Sequence, residues 1–177
     1  MKEVTVVILN YNGMKYLPEC MASLCQGQEN APEYEVLIID NGSADGSVEY
    51  LDSEWCRKKE APAEEGGEPQ VRLIALPENT GFCHAVNLGI REARSSYVIL
   101  LNNDTRVEAG FVKGLYDAIR KDEKIFSVSA KMLMWDKPEL LDDAGDRYCV
   151  LGWAYSRGKG RPAVDYDKNV SIFSACG

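Results

Sequence analysis

Four short, mostly apolar runs, at residues 4–9, 35–39, 71–76 and 97–101, each followed by a polar turn and a stretch of helical character, set the strongest limit on how this chain can fold. Continuous β-branched and aliphatic runs of this length are the mark of strands buried on both faces. Helices are expected over about 15–25, from the turn formers at 40–47 toward Leu51, from Phe82 to near Arg94, and over 109–121. In the last of these, Phe111, Val112, Leu115, Tyr116 and Ile119 gather on one face. Strand–helix alternation of this kind predicts an α/β fold, a Rossmann-like, mostly parallel sheet with helices on both faces and right-handed crossovers.

The stretch 56–70, with Pro62, Pro69, Gly66, Gly67 and mixed charges, reads as an exposed loop. Beyond Ile125 the rhythm changes. Residues 126–134 look strand-like, 136–146 turn-rich, 148–155 like another strand, and the glycine-rich 157–161 like a flexible loop. The apolar run at 171–177 has no cap or polar tail after it, so the expectation is a fragment whose continuation begins in or beside the core. A length of 177 residues suits one domain.

A formal charge of −8 argues against binding a nucleic-acid polymer. It does not argue against a small phosphorylated ligand, because a bound cation reverses the local sign. The six cysteines form no Cys-x-x-Cys pair and no set with the only histidine, His84, so structural zinc is not expected. With no secretory core and no run near the ~20 apolar residues of a membrane span, the reading is a cytoplasmic protein with reduced thiols. Docking at the inner face of the membrane stays open.

Residues 97–101 run straight into Asn102, Asn103 and Asp104. The C-terminal end of a buried parallel strand is where α/β proteins place ligands. A carboxylate there suits a hard divalent cation, which takes oxygen ligands. Together these suggest a metal-assisted phosphate site.

Residues 6–13 (Val-Val-Ile-Leu-Asn-Tyr-Asn-Gly), 37–47 (Leu-Ile-Ile-Asp-Asn-Gly-Ser-Ala-Asp-Gly-Ser), Asn79-Thr80-Gly81-Phe82 with Asn87-Leu88-Gly89, and 100–105 (Leu-Leu-Asn-Asn-Asp-Thr) resemble family 2 glycosyltransferases in order and separation. The likeness is greatest to the rhamnosyltransferase-like branch, where Asp143-Ala144-Gly145 and the glycine-rich segment also have counterparts. It implies a GT-A fold, a nucleotide-diphosphate sugar donor, a divalent metal and inversion at the anomeric carbon. The implied acceptor is a saccharide or lipid-linked saccharide of polysaccharide or cell-envelope synthesis. Residues 1–105 would bind the nucleotide and 106–177 would begin the acceptor side.

By that resemblance Tyr11 stacks on a uracil or thymine ring, a contact that contributes about 1–3 kcal/mol, while Asn10 and Asn12 shape the pocket. Asp40 accepts the imide N–H of the base, which cytosine lacks, and Asn41 lies in the adjoining turn. Asn79, Gly81, Phe82 and Asn87 line the nucleoside side. Asn102 and Asn103 hydrogen-bond ribose or phosphate, and Asp104, the one acid kept of the family's Asp-x-Asp, holds Mg²⁺ or Mn²⁺ against the two phosphates. His84 stands where the family usually has a small residue, and is not expected to act as a base. The family's general base lies beyond the counterpart of Gly177, so the fragment is expected to bind donor and to be inactive or nearly so. Asp142 and Asp143 match a structural block instead.

Two other readings compete. A nucleotidyltransferase would need a glycine-rich, basic loop after the first strand, of which residues 10–15 are a poor version. A non-catalytic sugar-nucleotide or protein-binding module would keep the sheet without metal-dependent nucleotide affinity.

Overall fold

The computed structural model describes residues 2–57 and 69–174, so most of the expected 56–70 loop lies outside the described residues. The chain divides into two compact units, Met1–Tyr116 and Asp117–Gly177.

The first unit runs β1 (Val4–Asn10), α1 (Leu17–Cys25), β2 (Tyr34–Asp40), α2 (Ser47–Leu51) with a π-helical turn at Asp52–Cys56, β3 (Gln70–Ala75), α3 (Phe82–Glu92), β4 (Tyr97–Asn102) and α4 (Phe111–Ile119). Its four strands are all parallel, in the order β3-β2-β1-β4. Alternate residues of β1 feed two cores. Val4, Val6 and Ile8 pack with Leu17, Met21 and Leu24 of α1 and Val112 and Tyr116 of α4. Val7 turns the other way, against Leu37, Ile39 and Ala85 of α3. Helices therefore cover both faces, as the alternation predicts. Each large aliphatic side chain buried this way stabilises by about 1.5–3 kcal/mol. Gly89 lets α3 approach closely, since a Cβ there would overlap Val7 Cγ1.

Helix boundaries differ from expectation for local reasons. The Tyr16 and Leu17 N–H groups both donate to Gly13 O, at 2.9 and 3.1 Å, forming a turn that delays α1 to Leu17. Pro18 then falls in the first turn, where its missing N–H costs no helical bond. Gly110, at φ +78°, stops α4 from starting earlier than Phe111.

At the N-terminal end of β2, Glu35 is fully buried within a run that looked apolar. It accepts from Thr5 Oγ1 at 3.1 Å and from the Arg94 N–H at 3.3 Å, and faces Arg72 Nε at 3.4 Å.

The second unit holds two antiparallel pairs, β5 (Met132–Met134) with β6 (Lys137–Asp143) and β7 (Asp146–Tyr148) with β8 (Ala154–Ser156), and a 3₁₀ turn at Ala163–Tyr166. Here the sequence expectations are corrected. Only the last three residues of 126–134 form a strand, and Phe126 is almost fully exposed. The supposedly turn-rich 136–146 carries β6. Leu141 and Asp143 point inward at alternate positions, and an aspartate in an inward slot hides the period of two. Residues 148–155 are not one strand but a hairpin turn, closed by the Cys149 N–H donating to Trp153 O at 2.9 Å and the Gly152 N–H to Cys149 O at 3.0 Å. The 157–161 segment is tied down. The Gly160 N–H donates to Leu141 O at 2.8 Å, the Leu141 N–H to Arg161 O at 2.9 Å and the Arg161 N–H to Gly158 O at 2.8 Å.

Candidate functional site

In the order β3-β2-β1-β4 the chain moves outward from β1 through β2 and β3, then returns to the other side of β1 for β4. The loops leaving β1 and β4 diverge at this reversal, which opens a crevice at the carboxyl ends of the strands. A cavity of about 350 Å³ occupies it. Eight of the residues expected at a site line it, namely Asn10, Tyr11, Asn41, Asn79, Phe82, Asn102, Asn103 and Asp104, together with Leu9 and Ala85. Four others, Asn12, Asp40, Gly81 and Asn87, do not.

Asparagine amides join the four sequence blocks to one another. Asn10, at the tip of β1, is buried and donates through Nδ2 to Asp40 Oδ2 at 2.7 Å and to Ser43 Oγ at 3.1 Å. Its Oδ1 accepts from Asn103 Nδ2 at 2.7 Å. Asn10 thus ties β1, β2 and β4 together at one point. Asn12, in a left-handed conformation at φ +51°, accepts the Ala44 N–H at 2.9 Å through Oδ1, and its own N–H donates to Ser43 Oγ at 2.8 Å. Asn41 links β2 to the approach to α3. Its Oδ1 accepts from the Thr80 N–H at 2.9 Å and hydroxyl at 3.0 Å, and its Nδ2 donates to Asn79 Oδ1 at 3.1 Å. The Gly81 N–H donates to that same Asn79 oxygen at 2.9 Å. Gly42, at φ +80°, makes this junction possible, since a Cβ there would stand 2.5 Å from the Glu78 backbone.

Asp40 is fully buried, with Oδ1 taken by the Ser43 N–H at 2.9 Å and Oδ2 by Asn10. In this geometry it holds the loop after β2 and presents no surface to the cavity. Contact with a base would require Asn10 or Ser43 to yield. Ser43 and Asp45, which the sequence places only among the turn formers at 40–47, carry part of the site's scaffolding. Asp45 accepts the Met14 N–H at 2.8 Å, and its other oxygen takes the Ser47 N–H and hydroxyl. Partial desolvation opposes it, but the bonds from the Ser47 hydroxyl and the Met14 N–H win and hold the Asp45 carboxyl below its usual value. Only the pairing of the β1 and β2 loops in space reveals these partners.

The cavity presents two kinds of surface. Tyr11 and Phe82 line it while half or more exposed, at 52% and 65%. Exposed aromatic faces on a cavity wall suit a planar ring. Asp104 is its one lining carboxylate, beside the amides of Asn102 and Asn103. Among the described residues no group of three acids, histidines or cysteines forms a metal cage. Behind this corner Cys20 Sγ points at Asn102 O, 3.8 Å away, and burial, with a smaller push from the Asp104 charge, raises its thiol to about 12. His84 and Asn87 are exposed on α3. Asp142 pairs with Lys159 at 3.0 Å, and Asp143 is buried in the second unit.

The sequence profile described as glycosyl transferase family 2 matches residues 5–159. The chain belongs to this family. A curated relative, the glycosyltransferase GlyG of Streptococcus pneumoniae, is 25% identical over 174 residues, which is 96% of this chain and 53% of GlyG. The crystal structure of Staphylococcus aureus TarS 1–349 in complex with UDP-GlcNAc superposes with a TM-score of 0.55 at 19% identity, over 74% of this chain and 38% of that one. A mannosyltransferase of Pyrobaculum calidifontis, in complex with GDP-Man and Mn²⁺, gives 0.51 at 23% identity, over 61% of this chain and 29% of that one. These likenesses identify the first unit's parallel sheet and flanking helices as a GT-A fold. The family 2 chain spans about half the length of GlyG and less of the two solved structures.

Proposed function

We propose that this family 2 chain is the donor-binding part of an inverting glycosyltransferase that takes a UDP- or dTDP-sugar and glycosylates a saccharide or lipid-linked saccharide. One observation carries the reading. The crevice at the sheet's reversal joins an aromatic wall, Tyr11 and Phe82, to a carboxylate corner at Asp104. A nucleoside diphosphate has the same polarity, a flat base at one end and phosphates at the other. TarS, which shares the fold, has been crystallised with UDP and with UDP-GlcNAc.

Asp104 fits the cation that the fold family implies, because Mg²⁺ takes one or two protein carboxylates and fills its shell from phosphates and water. When bound, such a cation, Mg²⁺ or Mn²⁺, stabilises the negative charge that grows on the departing diphosphate. The chain's own residues supply position. Tyr11 and Phe82 hold the base, and the amides of Asn102 and Asn103 offer hydrogen bonds to ribose or phosphate. The Asn10–Asp40–Ser43 cluster fixes the loop that shapes the base pocket. Asp143-Ala144-Gly145 supports placing the chain in the rhamnosyltransferase-like branch, working at the inner face of the membrane on a cell-envelope acceptor. Among the described residues no helix is long and apolar enough to cross a membrane.

Titration calorimetry with UDP and dTDP, with and without Mn²⁺, tests the site. The expected result is metal-dependent binding that Asp104→Ala weakens by about tenfold or more. Affinity that ignores both the metal and the substitution overturns the role of Asp104. CDP tests the base. Wild type should prefer UDP, and Asp40→Asn should narrow that preference if Asp40 turns to meet the imide.

A further inference from the structure

A cavity of about 590 Å³ is lined wholly by residues of the Asp117–Gly177 unit. Arg147, Arg157 and Arg161 line it, with Tyr155, Tyr166 and a single carboxylate, Asp165. Three guanidinium groups against one aspartate leave two net positive charges there, on a chain whose formal charge is −8. Of the acids near it in sequence, Asp142 is paired with Lys159 at 3.0 Å, Asp146 accepts the Ser174 hydroxyl at 2.7 Å and Asp143 is buried, and none of the three lines the cavity.

The arginines are placed by the backbone. Arg147 and Tyr155 sit directly opposite each other across the β7–β8 pair. The Arg157 N–H donates to Gly145 O at 2.8 Å, and its guanidinium donates to Ala144 O at 3.4 Å while standing 4.7 Å over the Tyr166 ring. Arg161 sits on the turn that two backbone bonds clip to Leu141 of β6 and a third closes on itself. Like charges held around a shared hollow repel unless an anion lies among them. The planar fork of arginine matches the oxygens of a phosphate.

We propose that this unit binds a phosphate group, with Arg147 and Arg161 as its exposed arms and Arg157, stacked on Tyr166, as its fixed one. The hollow is larger than one phosphate and leaves room for the moiety that carries it. This inference does not rest on the donor reading of the first cavity. The phosphate belongs either to the nucleotide donor or to a second phosphorylated molecule.

The test is calorimetric titration of the chain with inorganic pyrophosphate in the presence of a chelator, so that Asp104 and a metal play no part. Arg147→Gln/Arg161→Gln should weaken binding by about tenfold or more. Both positions are exposed, so an unchanged far-ultraviolet circular dichroism spectrum is expected. Asp165→Asn should tighten binding, a gain that misfolding cannot produce. Loss of pyrophosphate binding in saturating UDP, with UDP affinity lowered by the double substitution, assigns the phosphate to the donor. Binding unchanged by UDP assigns it to another phosphorylated molecule. Absence of pyrophosphate binding, or binding that neither the double substitution nor Asp165→Asn alters, overturns the proposal.

Discussion

Replacing Asn10 with alanine removes one side chain and breaks bonds to three segments. Two of the lost bonds, to Asp40 Oδ2 at 2.7 Å and from Asn103 Nδ2 at 2.7 Å, are short, and the third reaches Ser43 Oγ at 3.1 Å. A hydrogen bond to a charged partner contributes about 1.5–3 kcal/mol and a neutral one about 0.5–1.5. Asp40 is fully buried, so its Oδ2 would be left without its protein donor. Leaving a buried charged acceptor without its donor costs more than the ~1–3 kcal/mol of a neutral group, and Asn10→Ala is expected to cost about 3 kcal/mol. Asn103→Ala removes only the neutral bond and is expected to cost about 0.5–1.5 kcal/mol. Asn10→Asp sets a second carboxylate against Asp40 in the same buried space, which raises the proton affinity of the pair. Its folded state therefore gains protons relative to the unfolded chain, so the variant is expected to recover stability as pH falls and lose it as pH rises. Urea unfolding followed by far-ultraviolet circular dichroism measures all three. If Asn10→Ala costs no more than Asn103→Ala, the joining of β1 and β2 through Asp40 is refuted.

Glu35→Ala should destabilise by about 1.5–3 kcal/mol by removing the carboxylate that takes the Thr5 hydroxyl and the Arg94 N–H and faces Arg72, which keeps its bond to Glu92 O at 2.7 Å, while Glu35→Leu/Arg72→Met should lose less in the same urea assay. Native-state alkylation should label the exposed Cys83 first and leave Cys20 unmodified, because burial keeps the Cys20 thiol protonated up to about 12; mass spectrometry of digests reads the order. The depressed Asp45 carboxyl contributes stability that is present above its usual 3.8 and is lost as pH falls through its lower folded value. Asp45→Asn should therefore flatten that acid limb of the pH–stability curve.

The α/β class, the four parallel strands and the helices on both faces were legible because each depends on local periodicity and on turn residues. The second unit was legible only in part. Strand β6 carries Asp143 in an inward position, and the 157–161 turn is fixed by bonds to Leu141, which no composition of glycine and lysine predicts. The same limit appears at Glu35, where an acid inside an apolar run finds its partners on other elements.

For the site, the sequence by itself determined which residue types stand at the strand tips: asparagines and aspartates at the ends of β1, β2 and β4, with Tyr11 after β1 and Phe82 at the start of α3. Only the tertiary structure decided their partners. It turned Asp40 inward against Asn10 and Ser43, and set Asn41 across Asn79 and Thr80. It also put three arginines around one hollow in the second unit. The physical reason is range. Turn chemistry and apolar periodicity act over a few neighbouring residues, whereas a buried amide or carboxylate takes whatever partner the strand order brings within 3 Å or so, often from far along the chain.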